Sequence, residues 1–375
     1  MTDAKTILMV ACDANIYYAS GFSAPDPFVY LAVNGKSMLV MSDLEIGRAR
    51  SNSRVDEVVS MSVIEKRLKE TGIAQPTQVD ILCALLRDHG TTEVAVPGDF
   101  GIELADKLRE RGIVVRAKSA PFFAERSLKT DEEVRKIEET QRIVEQVFDE
   151  AVDILRQSEI VENRLLLNGK PLTSEEMRTF INKRLLDFHC STGDVIVSCG
   201  DDACDPHSVG HGPLLPHQTI IFDIFPRSTD SKYYADMSRT VVRGKPTDAV
   251  EKMYAAILKA QLRGIELVRD GADSAAVHAE VAKVFSDLGY KTGEEHGKMV
   301  GFIHGTGHGL GLEVHEPPRI GKKGSILAAG NVVTVEPGLY YPGIGGIRLE
   351  DMVLVEKDGC RNLTKAPKTL EIDRR

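Results

Sequence analysis

The stretch "HGTGHGLGLEVHE", residues 304–316, sets three histidines among four glycines and closes on an acid. Imidazoles at this density suit metal binding or proton transfer. The glycines strip the backbone, so the segment is expected to be a strand that metal, water and a substrate backbone can approach closely. His304 and His308 have the i, i+4 spacing of a helix face, but the glycines between them oppose a helix. The following "HEPPR" shares its start with the HExxH zinc-protease helix. Its fifth position is Arg319 and two prolines interrupt it, so that reading is rejected.

Working outward, acids stand in strands that are otherwise apolar. "TIIFDIF", residues 219–225, has Asp223 as its only charge. A lone carboxylate there costs several kcal/mol to desolvate unless something cationic meets it. After the polar turn "PRSTDSK" the chain returns as "YYADMSRT", and an antiparallel pairing brings Asp236 alongside Asp223. Two facing carboxylates repel unless a cation lies between them. Glu336 in "VVTVEPGLYY" and Glu350 in "GIRLEDMVLVE" repeat the pattern. The competing structural reading pairs Asp236 with Arg239 and Glu350 with Arg348. With His308, the four carboxylates form an oxygen-rich donor set that suits Mn²⁺, Co²⁺ or Fe²⁺ better than structural zinc. Such a set can neutralise two divalent ions, and a two-metal hydrolytic centre follows.

The rest of the 375-residue chain is consistent with that chemistry. A net charge of −9 leaves no basic footprint for nucleic acid and no cationic face for a membrane, so a small molecule or peptide is the expected substrate. No apolar run is long enough to span a bilayer, and the N-terminus lacks a basic leader, which points to the cytoplasm. Six scattered cysteines without a CxxC pair read as reduced thiols. The length predicts two domains. Residues 1–125 alternate β-rich runs such as "FVYLAV" with helical patterns, as an α/β unit does. The pattern breaks at Pro121, and a new helix begins with Thr130 and Glu133 in capping-box spacing. Residues 126–375 segregate helices, one carrying an apolar stripe at Val134, Ile137, Val144, Phe148, Ala151 and Leu155 and two near 248–270 and 274–288, from strands in the α+β manner. Tyr233, Tyr234, Tyr340 and Tyr341 are read as core, and His89, His189, His278 and His296 as surface or structural residues.

Taken in order, "FDIF", "ADMSRT", "HGTGHGLGLEVHEPP" and "TVEPGLYYPGIGGIRLED" resemble the pita-bread metallopeptidases: prolidase, aminopeptidase P, methionine aminopeptidase and the metal-free creatinase. "ANIYYASGF" and "RSLKTDEEVRKIE" extend the likeness to the creatinase-like N-terminal α/β domain, so it covers nearly the whole chain. The resemblance implies a C-terminal pita-bread catalytic domain. It makes Asp223, Asp236, His308, Glu336 and Glu350 the ligands of two metal ions, Mn first with Co, Fe or Zn admissible. Asp236 and Glu350 would bridge the ions, and Glu336 would also shuttle protons. His207, His304 and His315 match the family's outer histidines, which hold the substrate carbonyl or the tetrahedral intermediate. Arg348 matches an arginine able to orient a carboxylate.

The implied activity is hydrolysis of Xaa-Pro bonds by an Xaa-Pro dipeptidase, with aminopeptidase P acting on longer peptides as the alternative, and a homodimer as the default assembly. A creatinase-like C–N hydrolase or a non-catalytic binding protein would be expected to have lost ligands that are intact here. The chain departs from the family between Asp223 and Asp236, which lie thirteen residues apart, and where "IFPRS" replaces a small, glycine-containing turn.

Overall fold

In the computed structural model, which describes residues 6–373, the chain divides into the units Met1–Arg126 and Ser127–Arg375. In the first, the apolar runs become a six-stranded mixed sheet ordered Glu57–Ser60, Lys36–Met41, Phe28–Val33, Thr6–Ala11, Glu93–Pro97, Val114–Lys118. Asn34 and Gly35, both at positive φ, make the tight reversal between its second and third strands in sequence. Thr77 and Asp80 form a capping box that opens the helix Gln78–Asp88. Leu82, Leu85 and Leu86 of that helix pack with Leu8, Leu31 and Val94 of the sheet in one apolar cluster.

The second unit opens with the helix Asp131–Gln157, begun by the Thr130–Glu133 capping box. Its apolar stripe, Val134, Ile137, Val144, Phe148, Ala151 and Leu155, is buried. Phe148 meets Phe222 edge-on at 5.6 Å. Side chains alternate along a strand, so Phe222 facing the helix turns Asp223 to the other side. The helix Asp248–Leu267 packs on the helix Ser274–Asp287 and against the strand Val332–Val335. Gly264 permits that approach, because a Cβ there would stand 2.9 Å from Val335 Cγ1 and 3.1 Å from Val281 Cγ2.

Two sheets carry the chemistry. One is ordered Ile196–Cys199, Thr219–Ile224, Met237–Arg243, Glu371–Ile372. The other is ordered Glu316–Ile320, Gly307–Gly309, Val332–Val335, Asp351–Val355, Cys360–Asn362. They meet where the Glu350 N–H donates to the Ser238 carbonyl at 3.0 Å. The thirteen-residue spacing also has a structural account. Arg227–Ser228 pairs antiparallel with Cys190–Ser191, so the longer hairpin is tied into a small ribbon of its own.

Candidate metal centre

Asp223 is paired across its ladder with Ser238, and the ladder ends at Ile224 and Met237. Asp236 therefore stands one residue beyond the pairing, on the same face as Ser238 and Asp223. His308 occupies the short strand Gly307–Gly309, beside a register shift. Glu336 follows the strand Val332–Val335, and Glu350 lies between Gly345–Arg348 and Asp351–Val355. Five strand ends thus deliver five side chains, and all line one cavity of about 650 Å³. Ligand atoms of Asp236, His308 and Glu350 lie within 4.8 Å of one another. His308 Nε2 is 3.6 Å from Asp236 Oδ2 and 3.4 Å from Glu336 Oε1.

The electrostatics of this cluster call for a cation. His308 Nδ1 faces the Gly309 carbonyl at 3.2 Å and must donate to it, so the Nε2 lone pair points at two carboxylates. Burial, reinforced by His315, pushes the His308 pKa down to about 3, so the ring is neutral and does not compensate them. Burial, with Glu350 and Asp223 nearby, holds the Asp236 carboxyl well above the usual range. Glu350 is raised in the same way by burial and then by Glu336 and Asp223. Glu336 is pushed up to about 7 by burial, against the pull of Arg348. Among the described residues, Asp223 Oδ1 and Glu350 Oε1 are buried without a hydrogen-bond partner. Orphaned carboxylate oxygens beside an imidazole lone pair fit a divalent cation.

The two competing ion pairs do not form. Arg239 reaches Asp351, at 2.9 Å, rather than Asp236. Arg348 reaches Asp223, at 2.7 Å, rather than Glu350. Arg348, expected to orient a substrate carboxylate, lines the cavity with its guanidinium engaged by the Asp223 carboxylate. It is 3% exposed, its Nε donates to Ser238 Oγ at 2.8 Å, and its Nη1 donates to the Tyr340 hydroxyl at 3.0 Å.

His304 also lines the cavity and is hydrogen-bonded within the protein. Its Nδ1 faces the Gly305 carbonyl at 2.7 Å, so its Nε2 accepts from the Tyr340 hydroxyl at 2.9 Å. Burial lowers its pKa to about 3, which keeps that acceptor available. His304, expected to hold the substrate carbonyl, lines the same cavity, at the end of a hydrogen-bonded chain running Arg348, Tyr340, His304. His207 and His315 line the cavity, and the His315 ring stands edge-on to His308 at 4.5 Å. His211 and His217 line a different cavity, where they meet Asp202 at 2.7 Å and the Lys245 carbonyl at 2.9 Å.

Tyr340, read from sequence as core, is buried, but its hydroxyl joins two site residues. Arg319, noticed only as the residue that breaks HExxH, is the Cα partner of His308 and lines the cavity. Its side chain has no hydrogen-bond or ion-pair partner among the described residues. A cation directly across an antiparallel pair from the histidine was the available signal, and it required the register. The glycines have a second reason beside the one expected. A Cβ on Gly307 would lie 1.8 Å from the Thr334 carbonyl oxygen, and one on Gly309 would lie 2.4 Å from that of Pro317. They admit neighbouring backbone, and Gly305 and Gly307 also line the cavity.

This architecture, a creatinase-like N-terminal unit before a sheet-and-helix unit with an acidic cluster around one histidine, is that of the pita-bread metallopeptidases. Residues 135–357 match the description "Metallopeptidase family M24", and the chain belongs to that family. It is 26% identical over 375 residues to the Xaa-Pro dipeptidase of Pyrococcus furiosus, covering 97% of this chain and 94% of that one. It is 35% identical over 184 residues to the Xaa-Pro dipeptidase of Lactobacillus delbrueckii subsp. lactis, covering 48% of this chain and 46% of that one. The solved X-Pro aminopeptidase of Thermotoga maritima shares the fold at a TM-score of 0.81 and 23% identity, covering 98% of this chain and 97% of that one.

Proposed function

We propose that this chain is a metal-dependent exopeptidase that hydrolyses Xaa-Pro bonds, with the dipeptide as its preferred substrate. The observation that carries the reading is the uncompensated cluster of Asp236, Glu350 and Glu336 around the His308 lone pair. Full-length similarity to an Xaa-Pro dipeptidase supports the substrate class. Asp223, Asp236, His308, Glu336 and Glu350 would hold two divalent ions, Mn²⁺ before Co²⁺, Fe²⁺ or Zn²⁺, whose Lewis acidity would activate water and polarise the scissile carbonyl.

The chain's own groups do the rest. Glu336, with a carboxyl near 7, takes the proton of the attacking water and passes it to the leaving proline nitrogen. His207 and His315 stand in the cavity to donate to the developing oxyanion. Arg348 fixes the orientation of Asp223, and Tyr340 with His304 fixes that of Arg348. Arg319 offers an uncommitted guanidinium beside His308, suited to the C-terminal carboxylate of a dipeptide. The reading includes a homodimer and a cytoplasmic location, both drawn from the family likeness and the composition. Among the described residues no helix is long and apolar enough to cross a membrane.

The test compares Ala-Pro with Ala-Pro-Ala turnover after metal removal and after readdition of Mn²⁺, Co²⁺ or Zn²⁺. Metal-dependent cleavage of Ala-Pro with poor cleavage of the tripeptide is expected. Equal efficiency on both would reassign the enzyme as an aminopeptidase P, and no turnover of either would refute the reading.

A further inference from the structure

The sequence feature that the site has not absorbed is the residue two positions beyond Asp223. We propose that Phe225, with Ile196, forms the wall that limits the side chain of the residue preceding proline, and so makes the enzyme selective for small residues there. This inference rests on the Xaa-Pro reading and deepens it.

Phe225 directly follows the strand Thr219–Ile224 and precedes Pro226. A residue before proline is held to extended conformations, so the alternation of the strand carries on through Phe225. Phe222 and Ile224 point into the core, at 1% and 0% exposure, and Phe225 turns with Asp223 to the other face. Ile196 is the Cα partner of Asp223 on the neighbouring strand, and antiparallel partners share a face. Phe225, Asp223 and Ile196 all line the cavity of the acidic cluster.

The wall is held firmly. On one side of Phe225, Ile224 pairs with Met237. On the other, the Ala235 N–H donates to the Pro226 carbonyl at 3.1 Å, and Arg227 bridges Tyr234. Arg227–Ser228 is further anchored on Cys190–Ser191. The ring cannot be displaced by a simple swing of the hairpin.

The substrate's polarity decides which of its groups meets this wall. Arg319 lies in the other sheet as the partner of His308 and would draw the carboxylate end. The α-amine then lies toward Asp223, and the side chain that leaves the adjacent carbon faces Phe225 and Ile196. An aromatic ring and a branched alkyl group leave room for hydrogen or methyl and present no charge for a polar side chain to pair with.

The experiment measures kcat/KM of the Mn²⁺-reconstituted full chain for Gly-Pro, Ala-Pro, Leu-Pro and Phe-Pro in wild type, Phe225→Ala and Phe225→Leu, alongside metal content. Wild type is expected to favour Gly-Pro and Ala-Pro. Phe225→Ala is expected to raise the Phe-Pro to Ala-Pro ratio by about tenfold or more, the scale on which apolar pockets discriminate, with Phe225→Leu between the two. The graded leucine variant keeps the test valid if alanine disturbs the hairpin. An unchanged ratio in metal-loaded variants overturns the proposal. Failure of the metal-loaded wild type to cleave all four dipeptides overturns the Xaa-Pro reading itself, and this proposal with it.

Discussion

Glu350 and Asp351 are neighbours in the chain, both buried, and the strand turns them to opposite faces with opposite surroundings. Asp351 receives Arg239 Nη2 at 2.9 Å, Asn362 Nδ2 at 2.7 Å and Lys368 Nζ at 2.6 Å. Glu350 receives only Ser238 Oγ, at 2.9 Å, and its other oxygen has no partner among the described residues. Ser238 and Arg239 alternate in the same way on the adjoining strand. On one face two cations surround a single acid; on the other, Arg348 is the one buried arginine among Asp223, Asp236, Glu336 and Glu350. A buried acid supplied with protein cations is a structural element, whereas a group of them left short of positive charge is a place for an ion from solution.

The comparison is tested most severely by Glu336→Gln. It removes the group assigned to proton transfer, and kcat should fall by about 10³-fold in steady-state assays under saturating Mn²⁺. Asp351→Asn should leave metal content unchanged but strand Arg239 in the core, lowering stability by about 3 to 5 kcal/mol in urea unfolding. A loss of metal with intact stability would erase the distinction between the two faces.

The pH response of the metal-stripped protein follows from the same imbalance. Burial raises the Glu336 carboxyl from 4.5 to about 7, so between those values the folded state keeps a proton that the unfolded chain has released. Stability of the stripped protein should therefore fall as pH rises through that window, on the order of 3 kcal/mol from this group. Saturating Mn²⁺ should flatten the dependence, measured as Tm against pH. A smaller effect is expected from Tyr340→Phe, which takes away the hydroxyl shared by Arg348 and His304. It should cost about 1 to 3 kcal/mol of stability with metal content retained.

The candidate site was legible because acids in apolar strands are conspicuous. Asp223, Asp236, Glu336 and Glu350 could be picked out one by one, and the histidine-glycine run supplied the imidazole. The long helix from Asp131 was equally visible, through its capping box and apolar stripe. What could not be read was which polar atoms meet. Strand alternation gives the face of a residue, not its partner across the ladder, and the partners of Arg239 and Arg348 depend on how the two sheets join at Ser238 and Glu350. Tyr340 illustrates the same limit, since an aromatic residue in a strand looks like core whether or not its hydroxyl is engaged. The backbone approaches that require Gly307 and Gly309, to the carbonyls of Thr334 and Pro317, are also set by strand pairing rather than by local sequence.

The most direct measurement is the metal content of the stripped and reconstituted protein, by plasma mass spectrometry, together with its Tm. The account predicts two Mn²⁺ per chain and a raised Tm, both abolished in a variant carrying Asp236→Asn and Glu350→Gln. Wild-type protein that takes up no divalent ion, with a Tm indifferent to Mn²⁺, would contradict it.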